Sequence, residues 1–104
     1  MSEKVIKKTK TKRKSRVKKP KLYKVLMHND NYTTMEFVVN ILQLIFNKSL
    51  EEANQIMLRI HNYGIGLCGI YPLDIAQTKV ELVHNLAEQN NFPLRCSIEP
   101  EEKE

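Results

Sequence analysis

The sequence predicts an α+β fold: a small β-α-α-β-α-β sandwich in which three helices pack on one face of a three-stranded sheet. Three observations support this prediction. Short β-prone stretches stand near both ends of the apolar part of the chain, two Ser/Thr-x-x-Glu sequences mark helix starts, and an apolar stretch with two glycines precedes a third helix. With 104 residues, the chain is expected to form one small domain.

The first strand and the first helix follow from local signals. The stretch from Tyr23 to His28 is β-prone and ends at Asn-Asp-Asn, a strong turn signal. Thr33 and Glu36 have the spacing of a capping box, in which each side chain bonds the other residue's backbone N–H. A helix is therefore expected from this point to about Asn47. Its apolar stripe consists of Val38, Ile41, Leu42 and Ile45.

A second helix and a second strand come next. Ser49 and Glu52 form another capping-box pair, and the helix that they open is expected to stop near Gly64. This helix runs through Ala53, Ile56, Met57, Ile60 and His61. The stretch from Ile65 to Tyr71 is apolar and contains two glycines, which is the composition of a buried strand.

The third helix and the last strand complete the predicted domain. Pro72 suits the first turn of a helix, and the helix is expected to fray at Asn90 and Asn91. Its apolar residues are Ala76, Val80, Val83 and Ala87, at spacings of four, three and four. From Leu94 to Glu99 apolar and polar residues alternate, which predicts a strand with one buried face.

The net charge of +5 is the sum of two unlike parts. Residues 1–24 hold twelve Lys or Arg and one acid, a net charge of +11, whereas residues 25–104 hold five bases and eleven acids, a net charge of −6. The basic part has too few apolar side chains to offset the entropy of ordering its backbone. We therefore expect a disordered basic extension over residues 1–21 and a folded core over residues 22–104.

Membrane, metal and catalytic roles have little support in the sequence. There is no run of about eighteen apolar residues and no apolar N-terminal segment, so we expect neither a membrane span nor a secretory signal. Cys68 and Cys96 lack Cys-x-x-Cys spacing, which favours buried free thiols in a reducing cytoplasm. No phosphate loop or hydrolase signature occurs. We expect no metal, no cofactor and no catalytic residue, and thus a binding module.

Met57 and His61 lie one helical turn apart, so their side chains share one face of the second helix. Spacing alone also fits less specialised roles for the same region. Val38, Met57, Ile60 and Leu94 would serve as ordinary core residues, Asn29-Asp30 as a turn, and Thr33 as a helix cap. The sequence does not exclude a Cys–His nucleophile pair, which stays open as a further alternative, although nothing local supports it.

Residues 29–38 read Asn-Asp-Asn-Tyr-Thr-Thr-Met-Glu-Phe-Val. This stretch is similar to Asn-Asp-Asp-Tyr-Thr-Pro-Met-Glu-Phe-Val, the signature of the ClpS family, the bacterial adaptor of the Clp protease. Further matches to the family follow in the same order: His61, Gly64, Cys68, Gly69, Ala76, Thr78, Lys79, Val80, Pro93 and Leu94. The resemblance runs from about Tyr23 to Glu99, nearly all of the predicted core.

The resemblance implies a non-enzymatic adaptor that binds an N-terminal Leu, Phe, Tyr or Trp of a substrate protein and delivers the substrate to the ClpA AAA+ unfoldase and the ClpP peptidase. It places Asn29, Asp30, Asn31 and His61 at the substrate's α-amine. It places Met35, Val38, Met57, Ile60 and Leu94 around the first side chain, with Thr33 at the rim. Asp74, Gln77, Thr78 and Lys79 would contact the unfoldase.

The chain departs from the family pattern at four positions. Asn31 stands where a second Asp usually contacts the ligand amine, and a neutral acceptor forms weaker hydrogen bonds, so we expect weaker binding. Thr34 replaces a Pro of the first helical turn, with a small expected effect. Asp74 replaces the commoner Glu and Gln77 replaces an acid, so the surface for the unfoldase is expected to be less negative than usual.

The Lys-rich extension leaves one alternative function: a small nucleic-acid-associated protein that acts through its basic arm. No aromatic residue precedes Tyr23, although base stacking would favour aromatic residues among the basic ones. The family resemblance implies instead that the extension helps to hand the substrate to the unfoldase. We therefore expect protein partners and regard neither a nucleic acid nor a membrane as a partner.

Overall fold

The computed structural model describes residues 19–102, and the predicted order of elements is confirmed. The strands are β1 (Leu22–His28), β2 (Ile65–Pro72) and β3 (Arg95–Pro100), and the helices are α1 (Met35–Leu44), α2 (Leu50–Tyr63) and α3 (Leu73–Gln89). The predicted disorder of the basic extension, and with it the alternative nucleic-acid role, falls almost wholly on residues outside the described part.

β1 is the central strand of an antiparallel sheet with the order β2-β1-β3. His28 pairs with Ile65 on one side and with Arg95 on the other, so all three strands are aligned at this end of the sheet. The register with β2 shifts after Val25, where Cys68 is the extra residue of a β-bulge. Because β1 is held on both sides, the loop that follows it starts from a fixed point.

The helices cover one face of the sheet, and the core lies between the two layers. Val25 and Met27 point into it from β1, since alternate residues of a strand face the same side. The other buried residues are Val38, Val39, Ile41, Leu42, Ile45, Phe46, Ala53, Ile60, Cys68, Ala76, Val83, Ala87, Leu94 and Cys96. No polar or charged residue within 19–102 is buried, so burial of apolar surface is the main cohesive force of this core.

The start of α1 differs from the predicted capping box. Thr34 is the N-cap, and its Oγ1 accepts a hydrogen bond from the backbone N–H of Phe37 at 3.1 Å. The hydroxyl of Thr33 instead donates to Asp30, so Thr33 and Glu36 do not form the predicted box. Either of the two consecutive threonines could serve as the N-cap. Thr33 is hydrogen-bonded to Asp30 in the loop, and Thr34 is the residue that caps α1.

The connection between α1 and α2 is a short turn with hydrogen-bonded ends. α1 ends at Leu44 rather than near Asn47, whose φ of 57° reverses the chain. Ser49 and Glu52 form the predicted capping box, with N···O distances of 3.1 and 3.0 Å. Gly64 ends α2 in the left-handed conformation with a φ of 91°, which residues with a Cβ rarely adopt.

A hydrogen bond between a side chain and the backbone joins α3 to β3. The backbone N–H of Cys96 donates to Nε2 of His84 at 3.0 Å. Nε2 can accept only when the ring is neutral, because both nitrogens of a charged imidazole carry a proton. Burial lowers the pKa of His84, and the positive charge of Arg95 lowers it further.

The free energy of unfolding is expected to fall in mild acid because of His84. Its pKa in the folded protein lies below the ordinary value of 6.5, so the unfolded chain binds the extra proton first. The stability that His84 contributes is complete above pH 6.5 and is lost as the pH falls through the folded-state pKa. In a His84→Gln variant, urea unfolding at about pH 7.5 and 5.5 should show a smaller loss than in the wild type. The exposed His61 supplies a control, His61→Gln, which should keep the full loss. An unchanged loss in His84→Gln would contradict this account.

Candidate functional site

A cavity of about 250 Å³ opens where the loop after β1 meets α1 and α2. Its lining consists of Asn29, Asp30, Asn31, Thr33, Met35, Val38, Met57, Ile60 and His61. These are nine of the ten residues that the family resemblance places around a ligand. Ligand pockets in proteins commonly have volumes of about 300–1,000 Å³, so this cavity is suited to a single side chain and the backbone that carries it.

The tenth of these residues is Leu94. Its side chain is 2% exposed and belongs to the core. It borders a smaller recess of about 150 Å³, lined by His84, Glu88, Phe92, Pro93, Leu94 and Arg95. That Leu94 also lines the ligand cavity stays a prediction, because core residues such as Val38 and Ile60 lie under the cavity as well. Leu94 continues the alternation of β3, so it points with Cys96 into the core.

The Asp30 carboxylate shapes the loop between β1 and α1. Its Oδ1 accepts hydrogen bonds from the backbone N–H groups of Tyr32 at 2.8 Å and Thr33 at 2.7 Å, and its Oδ2 accepts one from the Thr33 hydroxyl at 2.8 Å. Burial alone would raise the pKa of Asp30, but these hydrogen bonds outweigh it and hold the pKa below its ordinary 3.8. The carboxylate therefore stays charged beside the cavity at neutral pH.

The loop is tied to the end of α2 by a backbone hydrogen bond. Asn29 N donates to the carbonyl oxygen of Gly64 at 2.9 Å. This bond brings the loop next to His61, which lies three residues before the end-capping glycine. α2 also packs very closely on β2, since a Cβ on Gly66 would lie only 2.6 Å from Cγ1 of Ile60. Gly66 thereby lets the helix reach the position in which Ile60 lines the cavity.

The cavity is polar at its opening and apolar inside. The polar rim consists of the exposed side chains of Asn29, Asn31 and His61. Val38 and Ile60 are 6% and 3% exposed and form the floor. Met35 and Met57 add two flexible thioether side chains, which adapt easily to ligands of different shape. Amide oxygens and a neutral imidazole nitrogen can accept hydrogen bonds at the rim, while the interior favours an apolar group.

Three of the four residues predicted to contact an unfoldase lie exposed at the start of α3. They are Asp74, Gln77 and Thr78. The Asp74 carboxylate accepts a hydrogen bond from the backbone N–H of Ile75 at 2.9 Å, and the Thr78 hydroxyl donates to the Asp74 carbonyl at 3.0 Å. These local bonds order the first turn of α3 and leave its outward surface accessible.

Lys79, the fourth of these residues, forms its contacts within the domain. Its Nζ donates to the carbonyl oxygen of Ile45 at 2.7 Å, at the C-terminal end of α1. The same ammonium lies 5.1 Å from the ring centroid of Tyr71 and 5.9 Å from that of Phe46. A cation is favourable at a helix C-terminus and over aromatic rings. Lys79 therefore joins α3 to α1, a role that its sequence position did not predict.

Sequence reasoning also missed how Asp30 acts. It assigned this residue only a negative potential near the ligand, whereas the structure shows a carboxylate that organises the loop through three hydrogen bonds. A signal was present in the sequence, because Asp commonly accepts from backbone N–H groups two and three residues later in a turn. Recognising that pattern would also have removed Thr33 from the capping role.

Residues 19–102 contain no group of three or more His, Cys, Asp or Glu side chains that could hold a metal ion. Cys68 and Cys96 are free and buried. A hydrogen bond with the Cys96 side chain and burial raise the pKa of Cys68, so its thiol stays protonated and is a poor nucleophile. Within the same described range, every helix is too short or too polar to cross a bilayer.

The fold and the cavity together define a small ligand-binding domain, in which acceptors for hydrogen bonds surround the opening of an apolar hole. The family model for the ATP-dependent Clp protease adaptor protein ClpS matches residues 18–97. The chain belongs to the ClpS family of adaptors of the Clp protease.

Relatives cover most of the chain. The ClpS adapter protein of Desulfatibacillum aliphaticivorans is 55% identical over 86 residues, which are 83% of this chain and 83% of that protein. The ClpS adapter protein of Myxococcus xanthus is 55% identical over 89 residues, 86% of this chain and 83% of that protein. The solved structure of Agrobacterium tumefaciens ClpS2 bound to L-phenylalaninamide is 37% identical, has a TM-score of 0.77, and covers 80% of this chain and 100% of its own.

Replacing Lys79 by Met is expected to lower the free energy of unfolding by roughly 1–2 kcal/mol, because the Ile45 carbonyl loses its donor and the aromatic rings lose a cation. Lys79→Arg keeps the charge and should restore part of the loss. Gln77→Met, on the exposed side of the same helix, is the matched control and should leave stability nearly unchanged. Urea denaturation followed by circular dichroism measures all four proteins. Wild-type stability of Lys79→Met would refute the assigned contact.

Proposed function

We propose that this protein is a non-enzymatic adaptor that binds the free N-terminus of substrate proteins beginning with Leu, Phe, Tyr or Trp. It delivers them to a ClpA-type AAA+ unfoldase that works with the ClpP peptidase. The observation that carries the proposal is the chemistry of the cavity, with amine acceptors at its rim and an apolar interior. Further support comes from the related ClpS2, whose structure contains L-phenylalaninamide, an aromatic residue with a free amine.

The polar rim offers acceptors for an α-ammonium group, which has three N–H donors and no acceptor of its own. Asn29 and Asn31 supply amide oxygens, and His61 supplies a ring nitrogen when it is neutral. The charged Asp30 adds negative potential, and its carboxylate oxygens keep lone pairs beyond those that the loop uses. A blocked N-terminus presents neither the charge nor the three donors, so the rim distinguishes a true N-terminus from an internal residue.

The interior of the cavity accounts for the choice of the first residue. A Leu or aromatic side chain that enters it contacts Val38, Ile60 and the two methionines, and burial of such a side chain contributes roughly 1.5–3 kcal/mol. This contribution alone gives only weak binding. The ammonium contacts must therefore supply the remaining affinity, which makes recognition depend on the amine and the side chain together.

Delivery rather than catalysis is the role that the rest of the domain supports. The family is named for an adaptor of a protease, and the buried thiols offer no activated nucleophile. Asp74, Gln77 and Thr78 present an exposed surface at the start of α3 for the unfoldase. Cys68 and Cys96 are free, buried and joined by a side-chain hydrogen bond, and two such thiols fit a reducing, cytoplasmic setting.

The proposed function predicts binding that needs both a free amine and a bulky first residue. Fluorescence anisotropy with peptides that differ only in the first residue should show binding for Phe and Leu and none for Ser or acetylated Phe. His61→Ala should weaken binding of the Phe peptide about tenfold or more, since it removes an acceptor of a charged donor. The neighbouring exposed Asn62, replaced by Ala, is the matched control. Equal binding of the free and acetylated peptides would rule out the proposal.

Replacing Asn31 by Asp is expected to tighten binding of the Phe peptide about fivefold, because a charged acceptor forms stronger hydrogen bonds with an ammonium than a neutral one. Asn62→Asp adds the same charge outside the cavity lining and controls for the general negative potential. Titrations at two salt concentrations separate the local contact from the long-range field, which salt screens. Unchanged or looser binding in Asn31→Asp would show that this position does not contact the amine.

A further inference from the structure

The side of the sheet that the helices leave open carries a column of apolar residues. We call this side the outer face. In β2 the outward side chains are Ile65, Leu67 and Ile70, and they are 39%, 41% and 37% exposed. Leu67 and Ile70 are three residues apart rather than two because the bulge at Cys68 adds one residue. Ile65, Leu67 and Ile70 therefore all lie on the outer face. Exposed apolar side chains in a row, rather than scattered singly, indicate a surface for a partner.

The two edges of the sheet have different chemistry. β3 forms one edge, and it carries Arg95 and Glu99 and ends at Pro100, features that discourage pairing with another chain. β2 forms the other edge, and no charged residue occurs from Ile65 to Pro72. An uncharged edge with an adjoining apolar column suits an extended peptide with apolar side chains.

β2 begins beside the ligand cavity. Ile65, its first residue, pairs with His28, which directly precedes the rim residue Asn29. Asn29 N donates to Gly64 O, and Gly64 directly precedes Ile65. The apolar column therefore begins at a residue next to the hydrogen bond that ties the rim residue Asn29 to Gly64, and it leads away along β2.

We propose that the residues following the first residue of a bound substrate lie in extended conformation along β2, with alternate apolar side chains on Ile65, Leu67 and Ile70. The chain of a bound protein must leave the cavity after its first residue, and the start of β2 lies beside the rim residue Asn29. An extended chain advances about 3.3 Å per residue and turns every second side chain to the same side, which matches the outward residues of β2. This inference rests on the proposed function, and it adds a second determinant of substrate choice beyond the first residue.

The test compares three peptides that begin with Phe. The first is the dipeptide amide Phe-Ala. The second is a peptide of about eight residues with Leu and Val at its third and fifth positions. The third is the same long peptide with Ser at those two positions. The apolar long peptide should bind the wild-type protein about fivefold more tightly than its Ser counterpart. Leu67→Gln should abolish that difference and leave the affinity for the dipeptide unchanged.

Leu82→Gln is the matched control, since Leu82 is 46% exposed on α3, outside the sheet. It should keep the difference between the two long peptides.

If the dipeptide binds and the two long peptides bind equally well, the inference is overturned while the proposed function stands. If the dipeptide fails to bind, the proposed function fails and this inference with it. Concentration-dependent self-association that Leu67→Gln abolishes, with no change in peptide affinity, would assign the outer face to a second copy of the chain and overturn the inference.

Discussion

The hydrogen bonds accepted by the Asp30 carboxylate are the contacts on which the ligand cavity depends. They join Asp30 to Tyr32 and Thr33, and so fix the conformation of the loop that carries Asn29 and Asn31 at the rim. The same bonds lower the pKa of Asp30 and keep it charged. The Asp30 side chain thus has two effects on the opening. Its hydrogen bonds fix the shape of the loop, and its charge gives the opening a negative potential.

The remainder of the domain holds this loop against the helices that form the cavity walls. Asn29 N and Gly64 O connect the loop to the end of α2, and Gly66 allows α2 to approach β2 closely enough for Ile60 to form part of the floor. At its far end α1 is held by Lys79, whose ammonium bonds the Ile45 carbonyl. The cavity is therefore a consequence of how two helices and the end of one strand meet.

Sequence reasoning succeeded where a structural feature depends on a few consecutive residues. The Ser49–Glu52 capping box and the left-handed end of α2 at Gly64 follow from local patterns, and both are present. It was wrong about the capping box of Thr33 and Glu36. Thr33 and Thr34 could each cap the helix; the Thr33 hydroxyl donates to the Asp30 carboxylate in the loop, and Thr34 accepts from the Phe37 N–H as the N-cap.

By itself the sequence determined the order of the elements, the acidic character of the folded part and the residues of the family motif, because periodicity, capping and motif spacing are local properties. Only the tertiary structure decided that Lys79 joins α3 to α1 and that Ile65, Leu67 and Ile70 form one exposed column. Both facts depend on which segments pack together and on the register of β2 against β1. Contacts between residues distant in the chain arise from the burial of a shared core, and no single stretch of sequence contains that information.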